Sequence, residues 1–223
     1  MPRVGVILSG CGVFDGSEIH EAVAVLHALD RHGADIVCLA PDVELDEIDH
    51  LSQQPTGQKR SVLRESARIA RGEITALAKV RGSEFDAIVL PGGFGAAKNL
   101  CDFASKGPQC TAEEQVSRVL TEAQKAGKPL GFACISPALA ARVFGKDLGP
   151  NLTIGNDKGT ADGLEAMGAT HQDCDGEGIV VDNRHRIVST PAYMYDQRIT
   201  SVFTGIGKMV DKVMEMASQP AAV

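Results

Sequence analysis

Cys134 is the residue best placed to do chemistry in this chain. It lies in the segment KPLGFACISPALAARVF (128–144), where a short apolar run turns directly into a helix. Pro129 to Ala133 reads as a brief buried strand, and Pro137 suits the first turn of a helix, where its missing N–H would be unpaired anyway. Leu139, Val143 and Phe144 follow at helical spacing. A thiol at such a strand-to-helix turn is a nucleophile elbow. It faces unpaired backbone N–H groups and the positive end of a helix dipole, both of which favour thiolate over thiol. The same residue types also describe a small buried apolar side chain, which free cysteines often are.

A thiol nucleophile needs a proton acceptor and donors for a developing oxyanion. Glu18 and Glu21 stand one turn apart near the start of the first helix, on one face, and either could supply the carboxyl. A carboxyl turned toward the cysteine in a dry crevice would have a raised pKa and exchange protons near neutrality. Both glutamates could instead merely complement the helix dipole. Pro91-Gly92-Gly93 is a turn whose backbone N–H groups can approach a substrate closely, and with the N–H of Ile135 it could form an oxyanion hole. By itself it is also an ordinary turn.

These residues must be positioned by the elements around them. Val4–Leu8, Asp35–Ala40 and Ala87–Leu90 are apolar runs of strand length alternating with helical patterns. That rhythm predicts a parallel sheet with helices on both faces. The first helix is expected from Ser17, its N-cap, to His32, stopped by Gly33. A long excursion from Pro41 to about Phe85 is expected to carry a helix over Arg60–Arg71 and to hold substrate selectivity or a partner surface. Further helices are expected over Thr111–Ala126, near Gly163–Met167 and over Ile199–Ala217. LTIGND, GATHQDC and RIVSTPAYM read as strand-like pieces, and Asp182–Asn183 as a hairpin turn. Loops 10–17, 91–95 and the Cys134 turn all follow strand ends, so they should meet at the crevice beyond the carboxyl ends of the sheet.

Composition sets the frame. The chain has 223 residues with 43% hydrophobic, ample for a substantial core, and no linker divides it, so a single domain over 1–223 is expected. A net charge of −7, no tryptophan and no basic stripe argue against nucleic acid. The six cysteines, at 11, 38, 101, 110, 134 and 174, lack metal-ligand or disulfide-scaffold spacing, so no metal, no cofactor and reduced thiols are expected. Cys11 lies in the first loop and could line the pocket. No run reaches membrane-spanning length, and the first residues read as a strand rather than a leader, so a soluble cytoplasmic protein is expected.

The three stretches GSEIHEAVAVLHALDRHG, DAIVLPGGFGAAKNL and GFACISPALA, in this order, resemble the PfpI / class I glutamine-amidotransferase-like superfamily. SGCGVFDGSEIHE and TPAYM further resemble its ElbB-type subfamily, described as isoprenoid biosynthesis-associated glyoxalases. The resemblance implies a flavodoxin-like three-layer α/β sandwich with a mostly parallel central sheet, and a homodimer. It assigns Cys134 as nucleophile, Glu21 as the carboxyl bonded to the thiol, Gly93 and Ile135 as oxyanion donors, and Glu18 to the pocket mouth. It implies a cofactor-independent glyoxalase acting on a small dicarbonyl, glyoxal or methylglyoxal.

Several features depart from related patterns. Protease-like members carry a histidine directly after the cysteine, where this chain has Ile135, and a third pattern places one in the strand region after the elbow helix, where LTIGND offers none. The late histidine and glutamate of glutaminases have as counterpart only His171-Gln172-Asp173, read here as a strand leading away from the site. His20 precedes Glu21 by one residue and points elsewhere around the helix. A glutamine amidotransferase-like hydrolase and a redox sensor built on an oxidisable Cys134 stand as alternatives.

Overall fold

The computed structural model describes residues 1–219. Its seven-stranded sheet runs in the order β10-β11-β7-β6-β1-β2-β5. The strands are β1 (Arg3–Ile7), β2 (Asp35–Ala40), β5 (Ile74–Ala76), β6 (Ala87–Leu90), β7 (Leu130–Ala133), β10 (Val180–Asp182) and β11 (Ile187–Thr190). All pairings are parallel except β10 with β11, the expected hairpin. Two-stranded pieces lie outside this sheet: the antiparallel pair β3 (Glu44–Asp49) and β4 (Gln54–Ser61), and the parallel pair β8 (Asn151–Leu152) and β9 (Thr170–His171). The helices are α1 (Ile19–Arg31), α2 (Val62–Ile69), α3 (Phe94–Lys98), α4 (Phe103–Lys106), α5 (Glu114–Lys125), α6 (Pro137–Leu148), α7 (Lys158–Ala166) and α8 (Ile199–Ala217).

The central strands are apolar without interruption because both faces are covered. On β6, Ile88 and Leu90 join one core with Val119 and Leu120 of α5 and Leu139 and Phe144 of α6. Ala87 and Val89 face the other, with Val25 and Leu29 of α1 and Ile206 and Val210 of α8. The result is a helix–sheet–helix sandwich of flavodoxin type. Because β1 is followed by β2 on one side and β6 on the other, the strand order reverses beside β1. The crevice at that reversal receives the loops after β1, β6 and β7.

Several local expectations are corrected. Ser17 does not cap α1, because its Oγ accepts the Ser9 N–H at 2.8 Å beneath the helix; Glu18 caps it, accepting the Glu21 N–H at 2.7 Å. The helix expected over 60–71 is only Val62–Ile69, since residues up to Ser61 pair as β4. That hairpin escaped notice because QPTGQKRS is polar throughout and seven of its eight residues are exposed, which leaves no alternation to read. The helix expected from Thr111 starts at Glu114, capped by Glu113, because Ala112 is bridged to Cys101. The helix expected near 163–167 is the longer Lys158–Ala166, capped by Asp157. LTIGND and GATHQDC give only the two-residue strands β8 and β9, and PAYM is a 3-10 turn, Ala192–Met194, rather than strand.

Candidate active site

Cys134 occupies the turn between β7 and α6 with φ 61°, a left-handed conformation that costs a non-glycine residue roughly 1–3 kcal/mol. The surroundings hold it there. Its N–H donates to Thr190 O at 2.9 Å, and the buried Ser136 hydroxyl donates to Ala133 O at 2.8 Å and lies 3.2 Å from Leu90 O. Pro137 opens α6 as expected. The elbow is thus braced on both flanks of β7, by β6 and by β11.

Glu21 is fully buried on α1, and its Oε2 and the Cys134 Sγ both lie against Gly92. The two carboxyl oxygens of Glu21 are fixed by two separate segments of the chain. Oε2 accepts the Gly92 N–H at 2.8 Å, and Oε1 accepts the Tyr193 N–H at 3.1 Å. Burial, and then the neighbouring Glu18 carboxylate, push its pKa up to about 7 against the pull of those two N–H donors. Glu18 lies at the cavity wall, mostly buried.

The Cys134 thiol does not behave as its place at a helix terminus suggested. Burial and then the Glu21 charge raise its pKa well above the ordinary range, and the Gly93 and Ile135 N–H groups directed at it offset this only in part. The resting group is therefore a thiol beside a carboxyl that ionises near neutrality. Deprotonation belongs to Glu21 at the moment of attack rather than to a standing thiolate.

The glycine turn is shaped by close approach. A Cβ on Gly92 would lie 2.4 Å from Cys134 Cβ, and one on Gly93, whose φ is 94°, would lie 2.3 Å from the Glu18 N. The turn interlocks with the first loop: Glu18 N–H donates to Gly92 O at 3.0 Å, Phe94 N–H to Val13 O at 2.8 Å and Gly95 N–H to Gly16 O at 2.9 Å. The loop is tied in turn to the β3–β4 hairpin, where Ile48 N–H donates to Asp15 Oδ2 at 2.9 Å. Residues 41–85 line none of the cavity, so of the two roles expected for the excursion, substrate selectivity or a partner surface, the first is corrected: the segment braces the first loop instead.

Above the thiol opens a cavity of about 370 Å³ lined by Val13, Glu18, Gly93, Phe94, Cys134, Ile135, Thr160, Tyr193 and Met194. Cys11 is not among them; its thiol, raised by burial, neighbours Glu65 and Arg68 instead. No histidine lines the cavity among the described residues. His20 sits at its edge, half exposed, with Nδ1 3.0 Å from the Tyr193 hydroxyl. His171 is packed on β9, where its Nε2 lies 3.4 Å from the Ile154 N. All six cysteines are free, and the described residues contain no cluster of three or more potential metal ligands.

The sequence did not single out Tyr193, Met194, Thr160, Val13 or Phe94. The available signal was TPAYM, where a proline closes a strand and starts a turn. Ala192 adopts φ 45° there and swings the Tyr193 N–H onto Glu21.

Known proteins share this arrangement of elements. The human glutamine amidotransferase-like class 1 domain-containing protein 3, mitochondrial, is 46% identical over 97% of this chain and 84% of its own length. The chain belongs to the ES1 family of class I glutamine amidotransferase-like proteins. The ES1 protein homolog, mitochondrial, of Rattus norvegicus is 44% identical over 97% of the chain and 85% of its own. The crystal structure of an isoprenoid biosynthesis protein with an amidotransferase-like domain from Ehrlichia chaffeensis superposes with TM-score 0.91 at 36% identity. It covers 97% of this chain and 99% of that one. Drosophila melanogaster DJ-1beta, at 18% identity and TM-score 0.60 over 97% of this chain and 96% of its own, shares the fold alone. No family model matches the chain. The expectation of a cytoplasmic protein is corrected, because the human and rat relatives are both named mitochondrial. Among the described residues no helix is long and apolar enough to cross a membrane.

Proposed function

We propose that this protein is a cofactor-independent glyoxalase of the ElbB type, acting through a Cys134–Glu21 dyad. The observation that carries the reading is the buried Glu21 carboxyl, poised near neutral pKa and clamped by the Gly92 and Tyr193 N–H groups beside the Cys134 thiol, beneath a cavity that no histidine among the described residues lines. A thiol and one carboxyl suffice for glyoxal and methylglyoxal, because the substrate's two adjacent carbons exchange oxidation level internally.

The Glu21 carboxylate takes the thiol proton as sulfur adds to the aldehyde carbon. The resulting alkoxide accepts hydrogen bonds from the Gly93 and Ile135 N–H groups and then the proton from Glu21, giving a hemithioacetal. Glu21, again a carboxylate, removes the C–H proton of that carbon and returns it to the neighbouring one through an enediol. The first carbon is oxidised to a thioester and the second reduced to an alcohol. Water cleaves the thioester to glycolate or lactate and restores the thiol.

The test is conversion of glyoxal to glycolate by purified protein without glutathione or metal. Turnover in wild type and its loss in both Cys134→Ala and Glu21→Gln is expected. No turnover in wild type, or turnover that survives Cys134→Ala, overturns the reading and leaves glutamine hydrolysis and peroxide sensitivity of Cys134 to be assayed. The same resemblance supports a single domain over 1–223 and a homodimer, which calorimetry and sedimentation would check.

A further inference from the structure

The cavity above Cys134 is much larger than glyoxal or methylglyoxal requires, and its wall is chemically one-sided. At about 370 Å³ it falls within the range of pockets that enclose ligands of several more atoms than either compound has. Val13, Ile135 and Met194 give it apolar sides. Phe94 is a large apolar residue left 49% exposed at the first turn of α3, and it faces the same space as Tyr193. No lysine, arginine or histidine lines the cavity among the described residues. The acidic side chain in that wall is Glu18, 12% exposed, with His20 Nδ1 3.9 Å from its Oε1. Its Oε2 is held by the Glu21 N–H at 2.7 Å, so the carboxylate cannot swing away without uncapping α1.

Resting on the glyoxalase reading, we propose that the site selects uncharged dicarbonyls bearing an apolar or aryl substituent, with Phe94 as the contact surface and Glu18 excluding anionic substrates. An incoming carboxylate would meet a like charge in a partly desolvated wall; the Lys98 ammonium, 5.3 Å from the Phe94 ring centroid and tied to Phe14 O, and His20, whose Nδ1 lies 3.9 Å from Glu18 Oε1, both stand behind that wall rather than in it. At the effective dielectric of such a site, two like charges a few ångströms apart repel strongly enough to lower occupancy by roughly ten- to a hundredfold. An aryl group instead covers the exposed Phe94 ring and pairs with it edge-on or offset.

The experiment compares kcat/KM for methylglyoxal, phenylglyoxal and 4-carboxyphenylglyoxal. In parallel it compares the alkylation rates of Cys134 by neutral iodoacetamide and anionic iodoacetate, followed by peptide mass mapping. Phenylglyoxal is expected to exceed methylglyoxal, and its carboxylated analogue to fall at least about tenfold below it. Glu18→Gln keeps an acceptor for the helix cap and should recover most of that loss. It should also narrow the iodoacetamide-to-iodoacetate ratio, which in wild type should exceed that of a free thiol. Phe94→Ala should bring phenylglyoxal down toward methylglyoxal. Equal turnover of the neutral and anionic aryl substrates, or an alkylation ratio untouched by Glu18→Gln, overturns the charge selection. Methylglyoxal preferred over phenylglyoxal overturns the aryl pocket. Turnover of glyoxal but of none of the three overturns the aryl pocket; absence of turnover with glyoxal as well overturns the glyoxalase reading, and the alkylation ratio then decides the charge selection separately.

Discussion

Gly92→Ala tests the packing of the thiol against the carboxyl more directly than removal of either group. The added methyl would lie 2.4 Å from Cys134 Cβ, 2.8 Å from Glu21 Oε2 and 2.9 Å from Cys134 Sγ. Carbon atoms settle at about 3.5–4.0 Å, so roughly 1 Å must be opened between β6 and the elbow. Neither side yields easily: Cys134 is already in a left-handed conformation, and β7 is hydrogen-bonded on both edges. Overpacking of this kind costs about 1–3 kcal/mol. In a chain of this size each kcal/mol lowers Tm by about 2–4 °C, so a drop of roughly 2–12 °C is expected. A displacement near 1 Å at the reacting atoms should lower kcat for glyoxal by about a hundredfold. Thermal melts, turnover and the Cys134 alkylation rate would be measured on the same samples. Gly207→Ala is the control. Gly207 lies inside α8 with nothing within 4 Å of the added Cβ, so the same change there should stabilise by about 0.5–1 kcal/mol and leave turnover alone. A Gly92→Ala protein that melts with wild type and retains turnover would refute the packing described.

Glu21 makes stability depend on pH with a definite sign. Its folded pKa of about 7 lies above the ordinary carboxyl value of 4.5, so the folded state holds the extra proton. That contribution is complete below about pH 4.5 and is lost as pH rises through about 7. Chemical denaturation of Glu21→Gln across that window should show a flatter profile than wild type, by a few kcal/mol at most. The pH–rate profile of wild-type kcat/KM should carry a rising limb near 7, and Glu18→Gln should move it downward because Glu18 repels the Glu21 charge. Ser136→Ala removes a buried hydroxyl that donates beneath the elbow. It should destabilise by about 1–2 kcal/mol in urea titrations and lower turnover more than a distant change of equal cost.

Much of the fold was legible because its strands bury both faces. Val4–Leu8, Ala87–Leu90 and Leu130–Ala133 are apolar runs too short for helices, and the helices between them carry clear stops such as Gly33 and Gly127. What escaped was structure held by polar contacts. The β3–β4 hairpin has no apolar alternation on its second strand, and its place is set by partners far away in sequence, such as Asp15 on Ile48. The placement of Glu21 beside Cys134 followed the resemblance. Spacing alone could not choose between Glu18 and Glu21, since which one turns inward depends on where α1 begins. The cap decided it: once Glu18 holds the first turn, Glu21 faces the sheet. The state of the thiol was misjudged from sequence because a helix terminus is visible there and desolvation is not.

The Tyr193 N–H on Glu21 joins residues 172 positions apart, and β11, which carries that turn, also closes the outer edge of the elbow strand. A chain still emerging from the ribosome therefore contains the nucleophile, the carboxyl and the glycine turn well before it contains the segment that aligns them. Until residue 193 arrives, β7 is an unpaired edge, the carboxyl lacks one of its two amide clamps and the elbow lacks its Thr190 anchor. Synthesis order thus lets the thiol acquire its partner geometry only after β11 has been made, and truncations ending before β11 should be inert for want of alignment rather than of any reacting group.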